Sequence, residues 1–224
     1  MNYKVIKCTS EKDWLGHRVI GGSSASAIVG ENPYKTAQEL FQELVGNKKP
    51  EDISDKPYVI FGKKAEEHIR ALFGLKYTDF KVTNPKTIEK DGCIELFQRE
   101  DKPFMTATLD GELDHETLGH GGLEIKTTEV LNTISREKWK GSIPMNYYCQ
   151  ILHYMAVRED IQYFVVYALL AYSDSEGNTW QTMRPYFFSR EDCKDDIAWL
   201  EEEETKYWNE YVLKKVEPPL AIKI

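Results

Sequence analysis

An α/β or α+β domain around one mixed sheet is the fold class that this 224-residue sequence predicts. Three observations lead to it: helical periodicity in the first third, a central run of strand-like segments, and a return to helix, two strands and helix towards the C-terminus. A 41% hydrophobic share supports one sizeable core, and chains of this length commonly fold as one unit. Residues 1–224 are therefore expected to form a single domain.

In chain order, the Gly21-Gly22 pair reads as a turn feeding a short helix over Ser23 to Val29. A second helix is expected from Thr36 to Val45, with Thr36 as N-cap, Gly46 as stop and Leu40, Phe41 and Leu44 inward. A third is expected from Gly62 to Phe73, with Ala65, Ile69, Leu72 and Phe73 on one face at helical spacing. The pattern then changes to a strand meander: Lys81 to Ile88, Ile94 to Gln98, Met105 to His115 and Gly122 to Thr128, separated by Asp-Gly or Gly-rich turns. Tyr147 to Val157 reads as helix, Tyr163 to Tyr172 as a buried strand and Thr179 to Phe188 as another. Asp192 to Leu213 closes the chain as a long helix.

Composition narrows the function classes. The longest apolar stretch, Tyr163 to Tyr172, is about half of the ~20 residues a membrane span needs. Polar residues follow Met1, so no secretory leader is read and a cytoplasmic protein is expected. Cys8, Cys93, Cys149 and Cys193 lie far apart without a CxxC or CxxxH pair, which argues against structural zinc or an iron–sulfur cluster and for reduced, buried thiols. A net charge of −8 weighs against a general nucleic-acid binder. The acidic excess is concentrated in Glu191, Asp192, Asp195, Asp196 and the run Glu201 to Glu204, read as the solvated face of a helix. A basic groove elsewhere stays open.

The chemically informative segment is Thr108-Leu109-Asp110-Gly111, then Gly119 to Gly122, then Leu123-Glu124-Ile125-Lys126. Glu124 and Lys126 are two apart on a strand and emerge on one face, while Leu123 and Ile125 face a core. A glycine-rich hairpin would set Asp110 beside Glu124. Two adjacent carboxylates repel unless a cation neutralises them. Mg²⁺ takes oxygen ligands and needs only one or two protein carboxylates, with the Ile125 carbonyl as a further donor. Such an ion polarises a phosphate and helps form hydroxide, and Lys126 is placed to orient water or stabilise developing negative charge. An Asp-Gly turn and an alternating strand ending in Lys also occur without function, so these residues alone leave both readings open.

Four blocks in order carry a family resemblance. They are Trp14-Leu15…Arg18…Ile20-Gly21-Gly22-Ser23, followed by Ala25 to Val29 and Asn32-Pro33-Tyr34; Phe61-Gly62-Lys63-Lys64-Ala65-Glu66; Asp110…Glu124-Ile125-Lys126; and Tyr147…Gln150…His153-Tyr154-Met155. Together they resemble the lambda-exonuclease or YqaJ-type viral recombinase nucleases of the PD-(D/E)xK superfamily. The resemblance implies a restriction-endonuclease-like core, a mixed sheet flanked by helices. It implies Asp110, Glu124 and Ile125 as metal ligands, Lys126 as the catalytic lysine, and Mg²⁺ as cofactor with Mn²⁺ able to substitute. Glu66 would line the site through metal-bound water, although the residues alone read it as a solvated helix carboxylate. Gln150 would contact the attacking water or the DNA backbone, against a buried, satisfied amide. Arg18, Ser23 and Thr108 would grip a terminal 5′-phosphate. Tyr154 reads as a core aromatic and His17 as a surface histidine.

The function implied is a phage-type alkaline exonuclease that degrades linear double-stranded DNA 5′→3′ for recombination by strand annealing. Its expected partners are DNA ends, further copies of itself in a trimer, and a single-strand annealing protein, in the cytoplasm of a bacterium hosting a phage or prophage. Three alternatives remain: a related restriction or repair endonuclease, a non-catalytic interaction module, and a hydrolase of small phosphoesters.

Overall fold

A computed structural model describes residues 2–85, 93–130, 132–174 and 176–220. Their order is β1 (Tyr3–Cys8), α1 (Glu11–His17), α2 (Gly22–Ile28), α3 (Ala37–Leu44), α4 (Pro57–Lys76), β2 (Phe80–Thr83), β3 (Ile94–Arg99), β4 (Thr106–Ala107), β5 (Gly111–His115) and β6 (Gly119–Val130). Then follow α5 (Thr133–Lys138), α6 (Met145–Val157), β7 (Tyr163–Ser173), β8 (Thr179–Ser189) and α7 (Lys194–Tyr207), which ends in a π-helical turn, Trp208–Val212.

The central sheet is mixed, in the order β2-β5-β6-β7-β8. Among the described residues only β6 and β7 run parallel in it, and their connection holds α5 and α6, the long crossover that parallel neighbours require. The expected meander is corrected here. β3 does not pair with β2 but joins β1 and β4 in a separate three-stranded antiparallel sheet. The single strand expected over Met105 to His115 is two, because β4 pairs with β3 whereas β5 pairs with β6; residues 108–110 bridge the two sheets. β2 accounts for the first part of the strand expected over Lys81 to Ile88, and 86–88 lie outside the described residues.

Alternation along β6 and β7 builds a core on each face. Val130, Phe164, Val166, Ala168, Leu170 and Tyr172 pack towards α6, while Leu123, Ile125, Tyr163, Val165 and Tyr167 pack with Ile69 and Phe73 of α4. Helix α3 forms as its capping predicts: Thr36 and Glu39 make a reciprocal capping box, and Gly46 takes a positive φ of 81°. Helix α4 is longer than its periodicity announced, and Leu72, expected inward, is 44% exposed. The expected glycine turn is also corrected. Residues 116–118 make the β5–β6 turn, and Gly121 and Gly122 lie inside β6. A Cβ there would sit 2.3 Å from the rings of Tyr163 and Phe164, so these glycines make room for aromatics of β7. Among the described residues no helix is long and apolar enough to cross a membrane, and all four cysteines are free and buried.

Helix α7 departs from the solvated face read from its acidic run. Glu204 is fully buried against His153, and Glu201 pairs with Lys102 and lies 3.4 Å from Arg99. A packed helix presents one residue in three or four to its neighbour, so a run of four carboxylates must turn at least one inward.

Candidate active site

Gly111 of β5 pairs with Leu123 of β6, and the next step of that antiparallel register sets Asp110 beside Glu124 at the open end of the hairpin. The Ile125 N–H donates to Asp110 Oδ2 at 2.9 Å. A residue in an extended strand sends its N–H and C=O to the same side, so the Ile125 carbonyl also faces Asp110. Both carboxylates are buried, Asp110 at 8% exposure and Glu124 at 2%.

Glu124 Oε1 accepts from Lys126 Nζ at 2.7 Å and from Gln150 Nε2 at 2.7 Å. Gln150 is not merely a satisfied amide: its Oε1 accepts from Lys126 Nζ at 2.9 Å while its Nε2 also donates to the Tyr154 hydroxyl at 2.9 Å. It therefore ties the strand bearing Glu124 and Lys126 to α6. The Lys126 ammonium also lies 4.7 Å above the Tyr147 ring. Burial by itself lowers the pKa of Lys126, but the carboxylates of Glu124 and Asp110 outweigh burial and raise it, which keeps the group a cation and a donor. Burial pushes Tyr154 well above its ordinary value, so its hydroxyl stays protonated.

Asp110, Glu124, Gln150 and Tyr154 line a cleft of about 170 Å³ together with Trp14, Arg18, Ser23 and Thr108. Arg18 donates to Ser23 Oγ at 2.6 Å and stacks 5.1 Å over Trp14, whose indole N–H donates to Thr108 Oγ1 at 2.8 Å. Backbone bonds from Ile20 to Phe104 and from Thr106 to Ile20 pin this segment to β4. Helix α2 then approaches α6 so closely that a Cβ on Gly22 would lie 2.6 Å from the Tyr154 ring and 2.7 Å from Gln150 Cγ. Segments more than 80 residues apart in the chain thus meet at the cleft.

Glu66 reaches this cluster differently from the rest. It lies on α4, on the other face of the sheet, with its Oε1 accepting from Arg70 at 2.6 Å, and Arg70 Nε donates to the Asp110 carbonyl at 2.5 Å. Sequence reasoning missed Arg70. Its signal was an arginine in step with Ile69 and Phe73 on the apolar side of α4, four residues after Glu66. Trp14 was also given no role, although it orients both Arg18 and Thr108. His17 is exposed, with Nδ1 2.9 Å from the Asp13 carbonyl.

Comparison with known proteins places the chain among relatives and folds. The chain is 28% identical over 216 residues to the Bacillus subtilis (strain 168) protein YqaJ, covering 94% of this chain and 59% of that protein. It therefore spans well under two thirds of that relative's length. The alkaline exonuclease LHK-Exo of Laribacter hongkongensis matches with TM-score 0.54 at 19% identity, over 92% of this chain and 94% of that one. Its complex with dAMP matches with TM-score 0.50 at 18% identity, over 89% and 90%. A phage related exonuclease from Haemophilus somnus 129PT matches with TM-score 0.51 at 16% identity, over 90% and 98%. These likenesses establish the fold, a restriction-endonuclease-like mixed sheet flanked by helices. Residues 13–160, about two thirds of the sequence, match the YqaJ-like viral recombinase domain, and the chain belongs to that family.

Proposed function

We propose that this chain is a phage-type exonuclease that hydrolyses linear double-stranded DNA from its ends with a divalent metal ion, working 5′→3′ to prepare a strand for annealing. The observation that carries this reading is the hydrogen-bonded cluster of Glu124, Lys126 and Gln150 beside Asp110, in a cleft that Arg18, Ser23 and Thr108 also line. The kinship of fold with LHK-Exo, an alkaline exonuclease solved with dAMP, supports a nucleotide-sized product.

The donor set fits a hard cation. Two buried carboxylates and a facing carbonyl offer oxygen donors alone, which suits Mg²⁺ or Mn²⁺ held by Asp110, Glu124 and the Ile125 carbonyl. Bound there, the ion would polarise the scissile phosphate and ease formation of hydroxide from water. Lys126 stays protonated and donates to the negative charge that develops on the phosphate. Gln150 fixes Lys126 and Glu124 relative to each other and can present its amide to the attacking water. Glu66 braces Asp110 through Arg70 and lines the site from the α4 side through water. At the mouth, Arg18 offers a guanidinium and Ser23 and Thr108 offer hydroxyls to a terminal 5′-phosphate.

Further parts of the reading are that residues 1–224 act as one domain, that copies assemble as a trimer around DNA, and that a single-strand annealing protein takes the product strand. The setting is the cytoplasm of a bacterium carrying the phage or prophage. The test is digestion of linear duplex DNA bearing 5′-phosphate or 5′-hydroxyl ends, with Mg²⁺ and with EDTA. Digestion lost in EDTA and in Lys126→Ala, and faster from 5′-phosphate ends, is the expected result. Digestion that persists in Asp110→Ala overturns the site, and cutting of closed circular DNA moves the assignment to an endonuclease.

A further inference from the structure

The face of the sheet that carries Glu124 and Lys126 does not end at the cleft. Cross-strand partners share a face, and so do residues two apart on one strand. Lys126 pairs with Ala168, which pairs with Arg184; Val130 pairs with Tyr172, which pairs with Trp180. Trp180, Thr182 and Arg184 of edge strand β8 therefore lie on the same face as the carboxylate cluster. Helix α5 covers part of this face and sets the Arg136 guanidinium 5.5 Å over the Tyr172 ring. Tyr172 in turn stacks on Trp180, with centroids 5.5 Å apart and planes 11° from parallel. Tyr172 is buried, whereas Trp180 is 45% exposed on the outermost strand.

A cleft of about 570 Å³ runs along this strip, lined by Arg136, Lys140 and Arg184, all exposed, with Glu137 as its carboxylate. Three cations to one acid is a local reversal in a chain of net charge −8. Four residues along β6 at ~3.3 Å each and two strand spacings of ~4.8 Å put Trp180 about 16 Å from Lys126, the reach of a few nucleotides.

We propose that this strip is a track for single-stranded DNA, with a base stacked on Trp180 and the flanking phosphates held by Arg136, Lys140 and Arg184. The proposal rests on the nuclease reading above and adds where the unpaired strand runs. An exposed ring already backed by a parallel neighbour offers a rigid π-face, and only an unpaired base can lie on it, because duplex bases are stacked on one another. An acidic peptide would use the three cations but not the coplanar stack.

The test is fluorescence anisotropy of a short labelled oligothymidylate and of a duplex of equal length, in EDTA so that nothing is cut. Trp180→Ala is expected to weaken oligothymidylate binding about tenfold, Trp180→Tyr to restore most of it, and the duplex to be affected far less. Arg136→Ser and Arg184→Ser should each reduce the slope of log affinity against log salt by about 0.7. Mg²⁺-dependent cleavage of thymidine 5′-p-nitrophenyl phosphate, too short to reach the strip, should be unchanged in all of them. Unchanged oligothymidylate binding in Trp180→Ala, equal losses for the duplex, or loss of small-ester cleavage would each overturn the track. Competition by polyglutamate as strong as by unlabelled oligothymidylate would also overturn it, in favour of an acidic protein partner. If the wild-type protein cuts no DNA yet binds oligothymidylate through Trp180, the nuclease reading fails and the track stands.

Discussion

The buried pair of His153 and Glu204 gives the sharpest prediction, because it fastens the helix that carries Gln150. Both side chains are fully buried; Nδ1 lies 2.9 Å from each Glu204 oxygen, and Nε2 lies 2.9 Å from the Thr106 carbonyl. Both ring nitrogens thus face acceptors, which the imidazolium alone satisfies. Burial lowers the pKa of His153 and Arg18 opposes its charge, but Glu204 and the Thr106 carbonyl outweigh them and raise it. His153→Leu leaves a carboxylate buried without its counter-charge, so the loss is set by desolvation, about 3–5 kcal/mol. Glu204→Gln keeps an acceptor for Nδ1 and should cost about 1–2 kcal/mol. The double substitution His153→Leu/Glu204→Leu removes both charges and should recover most of the loss.

The pH dependence has a definite sign. A histidine raised above its unfolded value of ~6.5 contributes fully below that pH, and the contribution fades as pH rises through the folded-state value. Urea unfolding of wild type and the three variants, followed by tryptophan fluorescence near pH 6 and near pH 9, measures both effects. The wild type should lose stability between these conditions and the double variant should lose less. A double variant no more stable than His153→Leu, or an equal pH response in all four proteins, would refute the reasoning.

Three other outcomes are expected. Gln150→Leu breaks the links to Glu124, Lys126 and Tyr154; initial rates on linear duplex DNA should fall about 10²-fold, and the buried groups left without their partner should cost about 1–3 kcal/mol in urea denaturation. Gly22→Ala puts a methyl group 2.6 Å from the Tyr154 ring, and the overpacking should cost about 1–3 kcal/mol, read by urea denaturation. Mg²⁺ at a hundredfold excess over its Kd should stabilise the wild type by about 2.7 kcal/mol in the same assay, and Asp110→Asn should abolish that gain.

The legible parts of this protein are those governed by short spacing. Glu124 and Lys126 could be placed on one face because side chains alternate along any strand, and α3 could be placed because Thr36, Glu39 and Gly46 stand at capping distances. The four motif blocks located the remaining cluster residues, although spacing alone would not have joined Arg18 to Thr108 across the chain. Arg70 was hidden because an arginine on an amphipathic helix reads as solvated until its buried acceptor, the Asp110 carbonyl, is known. Glu204 was hidden by its own neighbours, since three more carboxylates beside it read as a solvated run.

By itself, then, the sequence determined the helical and strand periods, the carboxylate–lysine pattern on β6 and the family. The tertiary structure decided that β3 and β4 leave the central sheet, that Gly121 and Gly122 admit aromatic rings rather than make a turn, and that Arg136, Trp180 and Arg184 share a face with Lys126. The physical reason is range. Periodicity follows from backbone geometry over two to four residues, whereas strand partners, register and the burial of a charge depend on hydrogen bonds and packing between segments far apart in the chain.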